Sequence, residues 1–193
     1  MELTTLALAL TSLFARANAA AVYKLSNEPS DPLTPWQVTK LSTFSPSGRP
    51  GSSPLASILA NITNPSSIPA GAGPSFAASS ANYSVEWAFG DAQPYGTAYE
   101  CTTTPAASAS SSRWTVEILK TDADLYAPTE RLDVRFTLTL TSGLAEDGSM
   151  VLAAIQHFEV GDNMRGTCGG SGVCSWSLDE ELTPLLIQPA IVA

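Results

Sequence analysis

The stretch "RLDVRFTLTL", Arg131 to Leu140, decides the fold class. Leu132, Val134, Phe136, Leu138 and Leu140 fall on one side of an extended chain, and Arg131, Asp133, Arg135, Thr137 and Thr139 on the other. Successive side chains of a strand point to opposite faces, so this period of two marks a strand with one face buried and one in water. "SGLAEDGS" follows, and its Asp147-Gly148 pair supplies the positive-φ residues of a hairpin turn. The next segment, "MVLAAIQHFEV", is therefore predicted to pair antiparallel with the first. Met150 to Val160 is apolar on both faces, which predicts a central strand covered on both sides.

The same alternation recurs towards both ends of the chain. Trp36 and Val38 begin one segment; Ala56, Ile58, Ala60 and Ile62 form a second. Tyr83, Val85, Trp87 and Phe89 form a third, and Trp114, Val116 and Ile118 a fourth. A last strand over Val173 to Leu178 carries Cys174, Trp176 and Leu178 on one face. Helical spacing is nearly absent. The reading is an all-β protein, a single antiparallel β-sandwich or β-barrel of about seven strands. Ser45 to Pro54, Asn64 to Ala81 and Thr102 to Ser112 are too rich in Ser, Pro, Ala and Gly to bury a face and are read as long surface loops.

The chain has 193 residues and opens "MELTTLALALTSLFARANAAAVY". An apolar run from Leu3 to Ala15 followed by Ala17-Asn18-Ala19 reads as a signal peptide cut after Ala19, although Glu2 stands where an early base is usual. Residues 20–193 then form one secreted, extracellular β-domain. Removing one acid, Glu2, and one base, Arg16, leaves the net charge at −9, which disfavours nucleic acid and anionic membrane as partners. No segment is apolar for long enough to span a bilayer as a helix. Asn61-Ile62-Thr63 and Asn82-Tyr83-Ser84 are glycosylation sequons, whereas the proline of Asn64-Pro65-Ser66 excludes a third.

Catalytic chemistry has few candidates. His157 is the one histidine, and alternation sets it on the same face as Glu159. Nothing near it resembles a nucleophile elbow or a zinc-binding helix, so its default reading is a structural histidine with a hydrogen-bonded neighbour. Asp122, Asp124, Asp133, Glu159 and Asp162 offer carboxylates for glycoside hydrolysis, but sequence spacing does not give a separation across a cleft. "TDADLY" lacks the further oxygen ligands of a calcium loop, and Asp179 to Glu181 is a short acidic surface run. Trp36, Trp87, Trp114 and Trp176 are in phase with the apolar residues of their strands, which favours core packing over sugar stacking. No catalytic residue, metal ligand or cofactor is assigned.

"GTCGGSGVCSW", Gly166 to Trp176, holds two of the three cysteines. Zinc wants four ligands, and only one more cysteine and a distant histidine remain. A redox pair of the thioredoxin type would be C-x-x-C at a helix start. In an oxidising compartment a disulfide remains. Cys168 to Cys174 closes a small glycine-rich loop, and Cys101 to either late cysteine closes a far larger one; energetics leave the pairing open.

"PWQVTKLSTFSPSGRPGSSPLASILANITNP", "VEWAFGDAQPYGTAYEC", "RWTVEIL" and the terminal cysteine-bearing strand together resemble, in order, the small secreted ascomycete proteins related to the major Alternaria allergen. The likeness covers most of the mature chain as an order of segments. It implies a β-barrel or sandwich, an extracellular location, no known catalytic residues, and a role in host interaction or small-ligand binding. It also implies disulfides between cysteines close in sequence, which pairs Cys168 with Cys174 and leaves Cys101 unpaired or joined to a second chain as a dimer. The partner of Cys101 in that pattern would stand around Ser84 to Trp87, where this sequence has no cysteine. The expected function is non-catalytic binding. The alternatives are a cell-wall polysaccharide binder, with a tryptophan exposed on a flat face, and a secreted hydrolase, with His157 or two carboxylates in a pocket.

Overall fold

The computed structural model describes residues 33–69, 75–91, 93–104, 110–120, 127–142 and 149–192. The expected signal peptide, Asp122, Asp124 and the Asp147-Gly148 turn lie outside them. Two antiparallel sheets pack face to face as a sandwich; they do not close into a barrel.

The larger sheet holds β1 (Trp36–Ser45), β2 (Leu55–Asn64), β3 (Ser79–Ala88), β5 (Thr102–Thr104), β9 (Met164–Cys168) and β10 (Cys174–Leu178), in the order β5-β3-β2-β1-β10-β9. β11 (Leu185–Ile187) also pairs with β1. The smaller sheet runs β12-β8-β7-β6-β4, made of β4 (Ala98–Glu100), β6 (Ser110–Leu119), β7 (Arg131–Ser142), β8 (Ser149–Glu159) and β12 (Ala190–Ile191). The chain passes between the sheets at Cys101, the one residue separating β4 from β5.

Alternation places the core. Leu132, Val134, Phe136, Leu138 and Leu140 of β7 are all buried, as predicted, and meet Val38, Leu41, Ile58, Ile62 and Val85 of the larger sheet in one cluster. Trp114 and Trp36 lie edge to face with ring centroids 4.6 Å apart. The Trp114 indole N–H donates to Ser79 Oγ at 3.1 Å, so one side chain ties β6 to β3 across the layers.

Several expectations need correction. β8 is not covered on both sides: Leu152, Ala154 and Phe158 are buried, but Ile155 is 57% exposed. In a two-layer sandwich nothing packs on the outer face, and beyond β8 only the two residues of β12 continue the sheet. The hydroxyl-rich "loops" are partly strand. Thr102–Thr104 pair with β3, where β-branched threonine suits a half-solvated edge, and Ser110–Ser112 pair with β7. Between β2 and β3, Ile68 and Phe76 form a bridge and are both buried, so that loop contributes to the core. Phe89 falls beyond β3 and is 49% exposed. Its ring lies over Gly48, whose φ of 68° and lack of a Cβ the contact requires. The acidic run at Asp179 to Glu181 forms a 3-10 turn over Glu180–Leu182 with Asp179 as its cap.

Candidate functional site

β7 and β8 pair in a register that sets Asp133 opposite His157 and Arg131 opposite Glu159. Outward positions of antiparallel neighbours stand close enough for their side chains to meet. Here they form a closed cluster. His157 Nδ1 lies 2.6 Å from Asp133 Oδ1 and Nε2 lies 3.2 Å from Glu159 Oε2. Arg131 Nε approaches the same Glu159 oxygen at 3.7 Å. The backbone is held as firmly: Asn163 Nδ2 and Gln156 Nε2 each donate to the His157 carbonyl at 2.8 Å, and Glu159 N donates to Asn163 Oδ1 at 3.0 Å.

Burial opposes a charged imidazole, but the hydrogen bonds to Asp133 and Glu159 and the charge of Asp133 outweigh it, against a smaller opposing effect of Arg131. The His157 pKa is therefore raised above its ordinary 6.5. A carboxylate at each nitrogen favours the doubly protonated ring, and in that imidazolium form neither nitrogen is free to accept a proton from a nucleophile. Among the described residues no hydroxyl or thiol is hydrogen-bonded to the ring. The rest of this outer face is charge-matched in the same cross-strand manner, with Arg113 to Glu100 at 3.0 Å and Arg135 to Glu117 at 2.8 Å.

The other predicted positions are dispersed. Asp162 is exposed in the turn before β9, where its backbone carbonyl accepts from Arg165, and its carboxylate is not part of the histidine cluster. Asp179 pairs with Arg165 at 3.2 Å while capping its 3-10 turn. Asn61 and Asn82 stand directly opposite each other on the outer face of β2 and β3. Trp36 and Trp114 are fully buried; Trp87 and Trp176 are only partly buried, on inward positions near the sandwich ends. Cys168 and Cys174 are joined, directly opposed in the β9–β10 hairpin with Cα atoms 4.1 Å apart. Cys101 is a free, buried thiol, and burial, with the charge of Glu100, pushes its pKa up to about 12. A dimer through that sulfur would require the crossover between the sheets to open. Burial raises the Tyr83 hydroxyl as well, helped by Tyr99 6.0 Å away.

Sequence reasoning paired His157 with Glu159 by alternation but missed the tighter partner, Asp133, 24 residues away. The signal existed in outline: both lie on polar faces of two segments already expected to pair, and only the register was lacking. No protein-family model, curated protein or solved structure matches this chain.

Proposed function

We propose that the chain is a secreted, non-catalytic β-protein that acts by binding, towards a host protein or a small ligand, in the manner of an effector or allergen. The observation that carries this reading is the closure of His157 between Asp133 and Glu159. The only histidine is thereby occupied at both nitrogens, and two of the carboxylates considered for hydrolysis are spent on one imidazole. The resemblance of the segment order to that of the secreted ascomycete proteins supports the same reading.

The polysaccharide-binding alternative asks for a tryptophan ring on a flat outer face, and among the described residues no tryptophan occupies an outward position. The hydrolase alternative is tested by assaying chromogenic esters and glycosides with the native protein and with His157→Ala. We expect no turnover that depends on His157. Turnover that vanishes in a variant with an unchanged melting temperature would overturn the non-catalytic reading.

A further inference from the structure

Three separate segments meet at one end of the sandwich. Cys168 and Cys174 face each other across the β9–β10 hairpin, and Glu130 reaches them from the turn before β7. One carboxylate oxygen and the two sulfurs all lie within 4.8 Å of one another. Glu130 is well fixed: its N–H donates to the Ala127 carbonyl at 2.9 Å, and its own carbonyl accepts from Val160 N at 3.0 Å. The neighbouring Thr129 carbonyl accepts from the buried Thr43 hydroxyl at 2.6 Å, which anchors the turn to β1. Among the described residues no hydrogen bond or ion pair engages the Glu130 carboxylate.

We propose that the reduced hairpin together with Glu130 binds one soft divalent cation of the zinc and cadmium class, so that the staple and a metal site are alternative states of the same corner. The sequence offered too few cysteines and histidines for zinc; the fold supplies the missing oxygen ligand from a distant turn. Reduction needs a low-molecular-weight thiol. Its thiolate attacks the sulfur of Cys168, which is exposed, and Cys174 leaves as a thiolate and takes a proton. A second small thiol then releases Cys168, so the protein gains two electrons and two protons while the small thiols become one disulfide. Metal binding displaces both protein thiol protons to solvent. A tetrahedral ion with sulfur at about 2.3 Å and oxygen at about 2.0–2.2 Å holds such ligands roughly 3.5–4 Å apart, with water in the fourth position.

The test uses the Cys101→Ala protein, so that the third thiol does not contribute, reduced with a trialkylphosphine that becomes its oxide with oxygen from water. Cadmium is titrated in and followed by thiolate-to-metal charge-transfer absorption. The expected result is one cadmium per chain, no binding to the oxidised protein, and an affinity lowered roughly 10–100-fold by Glu130→Gln. Near-UV circular dichroism of the reduced protein should be native, or be restored by cadmium. Absence of the charge-transfer band, equal affinity in Glu130→Gln, equal binding to the oxidised protein, or a reduced chain that cadmium leaves unfolded would each overturn the proposal.

Discussion

Replacing Trp114 by Phe should test how the two sheets are held together. The indole is wholly buried, lies 4.6 Å from Trp36 and donates its N–H to Ser79 Oγ, which is itself on a buried side chain. Phe keeps most of the ring but has no donor, so a buried hydroxyl loses its partner at a cost of about 1–3 kcal/mol. Loss of part of the aromatic pair adds about 0.5–1 kcal/mol, and the smaller ring leaves a void costing on the order of another 1 kcal/mol. The expected destabilisation is therefore about 3 kcal/mol, a large share of a domain's usual stability. Urea unfolding followed by far-UV circular dichroism measures it without relying on tryptophan emission. A cycle with Ser79→Ala should isolate a coupling of about 0.5–1.5 kcal/mol between the two side chains. A loss below about 0.5 kcal/mol for Trp114→Phe would refute the view that this side chain bonds one sheet to the other.

The raised His157 pKa gives stability that is fully present below pH 6.5 and is lost as pH rises through the folded value. Because about a third of the ring is open to water, the loss should stay at or below about 1 kcal/mol; urea midpoints between pH 6 and 8 should show it, and Asp133→Asn should flatten it. For Cys101 the sign comes from the unfolded chain, which ionises near 9 while the folded thiol holds its proton to about 12, so stability should fall with rising pH above 9. Cys101→Ala should remove part of that slope. Truncating Leu138 to Ala should cost about 2–5 kcal/mol, whereas Thr139→Ala, one residue along on the outer face, should stay within about 0.5 kcal/mol.

How much was legible follows from what fixes each element. β7 announced itself because from Leu132 to Leu140 its inward positions are large and apolar and its outward positions polar, a contrast only a one-sided strand needs. β8 misled for the opposite reason: Ala153 and Ile155 read as buried, yet they occupy an outer face on which no third layer rests. The short pieces β4, β5, β11 and β12 carry two or three residues each, too few for a period to show, and they exist because longer neighbours offer free backbone groups. The histidine cluster was half legible. Alternation joins residues two apart, but Asp133 reaches His157 through a strand register that local spacing does not encode.

The most direct measurement is the titration of His157 itself, which as the only histidine gives a single imidazole C2 proton resonance. The closed cluster implies that the protonated ring donates to a carboxylate at each nitrogen. It predicts a titration midpoint above 6.5 in the native protein, moved downward by Asp133→Asn and by Glu159→Gln with the remainder of the spectrum unchanged. A midpoint at or below 6.5, or one indifferent to both substitutions, would contradict it.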